Sequence, residues 1–333
     1  MANKITLAIS ITLIFGMSLI ISIPIFIIST TLAPYGKIEE SIPFYYNPSN
    51  SSFMKELNIN TDIGDIEIGY IYEPVDYSAR VELNLEMLGS GLAEKSYFDY
   101  FNIIWQNTSG IVNFTMELKT SIDHARVLSV IKNVKITVTL KADVFCDISV
   151  IVNIEGDVKI TVPYYHSIGD ILSNVTKGNI NFYFSNCILE GEITGIVQET
   201  GNIKLETNNV EYKKNNLWTF TTDIGNIVIE INQHITMGAN ITGTVMTHIG
   251  NYRLAYLDSN VDVGAHFILC PNPNDAQFQQ QLTQIVGFEE PDLVVVDGID
   301  IYTLNSNDYP ALNNYNLSFS LPNGYYDLDI QNI

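Results

Sequence analysis

Asp or Asn follows glycine at seven places in this chain: Gly64-Asp65, Gly156-Asp157, Gly169-Asp170, Gly178-Asn179, Gly201-Asn202, Gly225-Asn226 and Gly250-Asn251. Stacked on one another, such side chains could offer oxygens to a hard cation such as calcium, which takes roughly six to eight of them. Two features weigh against a metal. Four of the seven are neutral Asn, and the Gly-Gly-x-Gly-x-Asp nonapeptide of calcium-binding β-rolls is missing. Turn chemistry accounts for the pairs better. Glycine reaches positive φ without a steric penalty, and Asn or Asp bonds nearby backbone while tolerating the left-handed region.

Other chemistry is poorly represented. There is no Gly-x-Ser-x-Gly elbow, no His-Glu-x-x-His helix, no Walker loop and no dinucleotide fingerprint. The five histidines, His124, His166, His234, His248 and His266, are scattered. Cys146, Cys187 and Cys270 sit in apolar runs without metal-ligand spacing and read as small buried hydrophobes. Polysaccharide lyases and hydrolases also cluster acids on β-rich folds. Here Asp157 and Asp170 are taken by turns, and Asp292, Asp297 and Asp300 fall near the C-terminus. The expectation is a protein that is not an enzyme and holds no cofactor or metal.

The elements around the turns are strands. Apolar residues alternate at period two after each pair: Ile180, Phe182 and Phe184; Ile203 and Leu205; Ile227, Ile229 and Ile231. The last four copies begin 23, 24 and 25 residues apart, a spacing that favours stacked coils over antiparallel hairpins. Stacking would place Ile203, Ile227 and Tyr252 in one interior column and Asn202, Asn226 and Asn251 in a ladder beside it. Residues 276–286 are the one weak helical candidate after residue 34. Pro322-Asn323-Gly324, between alternating runs, predicts a terminal hairpin.

The repeated Gly-Asp/Asn-Ile phrase, with a Val162-Pro163 step in strand-rich sequence, resembles the prokaryotic adhesin-like domains of unknown function and the related auto-transporter adhesin head domain. The resemblance covers residues 57–257. It implies a right-handed, single-stranded parallel β-helix, or a related β-solenoid, on the cell surface. That family has no established catalytic residues to carry over. The expected fold is therefore all-β and solenoidal, with an antiparallel β-sandwich as the alternative.

Residues 5–32 carry no charge and are almost wholly apolar, longer than the ~20 residues a helix needs to span a bilayer. They predict an uncleaved transmembrane helix and a lipid bilayer partner. Six Asn-x-Ser/Thr sequons, at Asn50, Asn107, Asn113, Asn174, Asn240 and Asn316, favour an exported, glycosylated bulk. A net charge of −21 disfavours nucleic acid. The expected organisation is an anchor over 1–33, a linker over 34–56, a strand-rich part over 57–165, the repeat region over 166–270 and a β cap over 271–333. The expected function is that of a membrane-anchored, extracellular, adhesin-like binding or structural protein contacting a glycan or protein. The alternatives are an envelope-stress or signalling accessory protein and a carbohydrate-active enzyme.

Overall fold

A computed structural model of the chain describes residues 35–47, 54–90, 92, 95–121, 123–260, 262–271, 276–296, 299–320 and 325–332. The chain is all-β, built on two large sheets and one small one. The first sheet has ten strands in the order β1 (Tyr35–Tyr46), β4 (Ala79–Ser90), β7 (Ile131–Lys141), β3 (Asp65–Ile71), β9 (Val158–Val162), β12 (Ile180–Ser185), β15 (Ile203–Asn208), β18 (Ile227–Gln233), β20 (Tyr252–Asp258) and β25 (Tyr326–Asn332). The second has twelve. Its order is β22 (Asp292–Val296), β23 (Ile299–Asn305), β21 (Val263–Cys270), β24 (Asn313–Ser320), β19 (Ile241–Ile249), β17 (Asn216–Ile224), β14 (Ile193–Thr200), β11 (Ile171–Lys177), β8 (Asp147–Glu155), β2 (Glu56–Ile63), β6 (Ile111–Leu118) and β5 (Phe101–Thr108). Three two-residue strands, β10 (Ser167–Ile168), β13 (Ile188–Leu189) and β16 (Glu211–Tyr212), make the third.

Both large sheets are mixed. From β7 to β25 the first sheet is parallel, while β1–β4 and β4–β7 are antiparallel. The second sheet is antiparallel at both ends, through β22–β23–β21 and β5–β6. This corrects the expected fold. The chain is not a closed, single-stranded β-helix, nor is it the alternative antiparallel sandwich. Period-two alternation marks a strand with one buried face but not its direction. β4 and β23 alternate like their neighbours yet pair antiparallel, with β7 and with β21.

Among the described residues there are two short α-helices, α1 (His124–Val130) and α2 (Ala276–Leu282). Among the described residues no helix is long and apolar enough to cross a membrane. The expected span over residues 5–32 lies outside the described residues. Residues 35–46, expected within a linker, form β1, paired along its whole length with β4. Pro43 fits there because an edge strand tolerates a missing N–H.

Repeat copies pair in register. Ile66, Val158, Ile180, Ile203, Ile227, Tyr252 and Tyr326 are successive partners across the first sheet, and all are buried. At ~25 cal/mol per Å² of apolar surface, each such column contributes several kcal/mol. The interior is one continuous apolar cluster filled by Trp218, Phe220, Phe182, Tyr256 and Tyr315.

The expected terminal hairpin does not form. β24 lies in the second sheet and β25 in the first. The chain therefore changes sheets between Ser320 and Tyr325, as it does at each Gly-Asn pair, and the predicted turn Pro322-Asn323-Gly324 lies outside the described residues. An Asn-Gly step specifies a tight reversal, not which sheet receives the next strand.

Candidate functional site

The glycines and their partners form the first recognisable unit. A Cβ on Gly156, Gly178, Gly201, Gly225 or Gly250 would lie 1.8–2.1 Å from the carbonyl oxygen of the preceding glycine in the series that begins at Gly64. Beside this column runs a ladder of backbone bonds. Asp65 Oδ1 accepts from Asp157 N at 3.0 Å, Asp157 Oδ1 from Asn179 N at 2.7 Å, and Asn179 Oδ1 from Asn202 N at 3.0 Å. Asn202 Oδ1 then accepts from Asn226 N at 2.8 Å, Asn226 Oδ1 from Asn251 N at 2.9 Å, and Asn251 Oδ1 from Tyr325 N at 3.1 Å. Each Asp or Asn oxygen is thereby aimed at the next turn's amide.

Gly169-Asp170 belongs to a different corner. Asp147 Oδ1 accepts from Asp170 N, and Asp170 Oδ1 from Glu192 N, both at 2.8 Å. Gly191 is the glycine stacked there; its Cβ would meet Asp170 N at 2.2 Å. Sequence reasoning missed Gly191 because Glu192 follows it, although Gly169 lies 22 residues before it.

Other candidates are dispersed. His248 Nδ1 lies 3.1 Å from Asp223 Oδ1 at the surface, His234 Nδ1 bonds Ser259 Oγ, and His266 Nδ1 bonds Asn305 Oδ1. Cys146 and Cys187 are buried, with burial pushing both thiols up to about 12, and all three cysteines are free. Among the described residues no group of three or more His, Cys, Asp or Glu could hold a metal ion. Of the sequons, Asn50 lies outside the described residues. Asn107 is exposed; Asn113, Asn174, Asn240 and Asn316 are half-buried, with Asn240 Oδ1 bound to Asn314 N at 2.7 Å.

The surface feature with most chemical content is a groove of about 350 Å³ on the outer face of the first sheet. Its floor follows from register. Glu206, Glu230, Ala255 and Asp329 are successive partners across β15, β18, β20 and β25. The small Ala255 side chain leaves a hollow between two acids. Asn208, Asn232 and Arg253 complete the lining. Lys204 Nζ lies 3.0 Å from both Glu206 and Glu230, and Arg253 reaches Glu230 at 3.7 Å and Asp327 at 3.9 Å. Burial pulls the Lys204 ammonium down, but the bonds to Glu206 and Glu230 outweigh it and hold the ammonium above the ordinary lysine value. Asn232 Oδ1 is buried without a hydrogen-bond partner. The groove can accept bonds from hydroxyls or amides at its acids and donate from Arg253. Period-two alternation marked this face as outward, but the pairing that makes a groove of it needed the register.

No family model matches this chain, and no curated protein matches it. Among solved structures it is similar to a putative cell adhesion protein of Clostridium sporogenes (10% identity, 88% of this chain and 99% of that one, TM-score 0.32). It is also similar to a putative adhesin of Bacteroides fragilis (11% identity, 87% and 96%, TM-score 0.31) and a putative lipid binding protein of Parabacteroides distasonis (10% identity, 89% and 96%, TM-score 0.33). At these TM-scores the likeness carries neither a fold nor a function over to this chain.

Proposed function

We propose that this is an adhesin-like binding protein of the cell surface, with the groove over Glu206, Glu230, Arg253 and Asp329 as its contact surface for a glycan or protein. The observation that carries the reading is the groove itself. A hollow lined by acids, amides and a guanidinium sits on strands fixed by the turn ladder, and a rigid scaffold presenting polar groups is suited to recognition. A role in binding without turnover also fits the use of the repeated acids Asp65, Asp157 and Asp170, each of which accepts a backbone amide at Oδ1. The uncharged segment over residues 5–32 supports attachment to a lipid bilayer, with the rest of the chain outside.

The test is a glycan and surface-protein binding screen of the full chain in detergent micelles, repeated with Glu230→Lys and Arg253→Glu. A ligand lost by at least tenfold in both variants, with unchanged melting, supports the reading. Ligands bound equally by all three proteins would remove the groove from it, and product release from any glycan would show an enzyme. Membrane attachment is checked separately by carbonate extraction and by protease removal of a C-terminal tag from intact cells.

A further inference from the structure

A second surface feature lies where the first sheet gives way to the third. β9 ends at Val162, and Tyr164, Tyr165 and His166 follow Pro163. Tyr165 takes φ +61°. Its stacking neighbours in the same corner column are Asn186 and Asn209, at φ +49° and +52°. Tyr165 N bonds Asn186 O at 2.8 Å, and the register of β10, β13 and β16 just beyond, Ser167 to Ile188 to Glu211, puts the three in line. Asn tolerates the left-handed region, whereas a bulky ring there is a true outlier. Packing does not offset this strain, because Tyr165 is 84% exposed.

The surrounding rings are ordered. Tyr70 stacks on His166 at 4.7 Å and 13°, and Tyr72 covers His166 at 5.1 Å. Tyr72 is fixed by its hydroxyl, which donates to Tyr164 O at 3.2 Å, and Tyr164 meets Tyr165 edge-on at 5.0 Å. Tyr72 and Tyr164 are also exposed. Three tyrosine rings thus reach solvent from a held aromatic stack.

We propose that Tyr72, Tyr164 and Tyr165 form a stacking site for a neutral hexopyranose unit. The apolar C–H face of a pyranose matches a phenol ring, while ring hydroxyls suit phenolic edges that both donate and accept. Tyrosine offers this contact with little side-chain freedom to lose. Rival occupants of aromatic platforms fit less well. Stacked nucleic-acid bases would bring phosphates toward a chain of net charge −21. A proline-rich peptide brings rings without N–H donors. His166 is buried, burial holds it below the ordinary histidine value, and its ring bonds the Ala142 backbone. Its Nε2 has no partner. This nitrogen is itself buried, so the proposed contact is made by the three exposed tyrosines and not by His166.

This site is separate from the groove and stands or falls apart from it. The experiment is calorimetric titration of the full chain in detergent with maltohexaose, cellohexaose and mannohexaose, and with a proline decamer. At least one hexasaccharide should bind, weakened at least tenfold by Tyr72→Ala and by Tyr165→Asn. Lys177→Ala, a surface change outside both the groove and the tyrosine cluster, should leave that binding unchanged. Tyr165→Asn should also raise the melting temperature, since Asn suits the backbone there; binding lost with a raised melting temperature separates recognition from folding. Failure of all three sugars, binding indifferent to Tyr165→Asn, a lower melting temperature in that variant, an equal loss through Lys177→Ala, or binding of the proline decamer alone would each overturn the proposal.

Discussion

Asn202 Oδ1 accepts the backbone N–H of Asn226 at 2.8 Å, and Asn226 Oδ1 accepts that of Asn251 at 2.9 Å. One side chain therefore terminates its own turn and begins the next. Asn226→Ala should cost about 1 kcal/mol, the ordinary net worth of such a bond. Asn226→Asp keeps the acceptor and should lose less. Urea denaturation of the two variants checks this; equal losses would show that the oxygen is not the working group.

Gly178 has φ +131°, and a Cβ there would lie 2.1 Å from Gly156 O. Gly178→Ala should cost several kcal/mol or prevent folding, because backbone rather than a mobile side chain is struck. Gly69 in β3 has nothing within 4 Å of a built Cβ. Gly69→Ala should stay within about 0.5 kcal/mol of the parent. Thermal melts compare them.

Ile227 is buried between Ile203 and Tyr252. Ile227→Asp buries an unpaired charge and should cost several kcal/mol. Glu230, three residues on, faces out, and its ion pairs with Lys204 and Arg253 are partly solvated. Glu230→Ala should cost no more than about 1 kcal/mol. Closely matched melting temperatures would contradict the assignment of inner and outer faces.

Asp258 is fully buried, and burial raises its carboxyl above the ordinary value despite bonds from Asn260 N and Tyr256 Oη, each at 2.8 Å. The folded state then holds this proton more tightly than the unfolded chain. The stabilising contribution is complete below the unfolded value, near pH 4, and is lost as pH rises through the folded value. Asp258→Asn should therefore gain stability over the parent at pH 7, and the gain should shrink at pH 4. Urea denaturation at the two pH values measures both.

Cys146 and Cys187 are buried thiols held at about 12. A thiol reagent at pH 8 should leave both untouched in the native protein and label them at once in guanidinium. Cys270, half-buried, should react ahead of them. Mass spectrometry of timed samples reads the order.

Strand positions and inward faces were legible wherever residues alternated, as at Ile227, Ile229 and Ile231. The repeat spacing made the glycine column and the Asn ladder legible too. Strand direction was not, because β4 and β12 alternate alike yet pair in opposite senses, β4 antiparallel to β7 and β12 parallel to β9. Pro43 looked like a linker residue, since only tertiary structure shows that β1 is an edge. Gly169 and Gly178 carry the same phrase but serve different corners, which no nine-residue window distinguishes. The groove was hidden for a related reason. It depends on Ala255 standing beside Glu230, a neighbour set by register rather than by sequence distance.

The first and last strands of the ten-stranded sheet, β1 and β25, lie on opposite edges, about 43 Å apart at ~4.8 Å per strand. A tensile load applied between those edges would run across the strands, along their hydrogen bonds. The bonds of successive strands are then strained in series, so rupture proceeds by peeling rather than by collective shear. Each repeat of 23–25 residues that peels away would pay out about 80 Å of extended chain. A molecule under tension in this direction would lengthen in steps at modest force and dissipate the work, behaving as a shock absorber rather than a stiff strut.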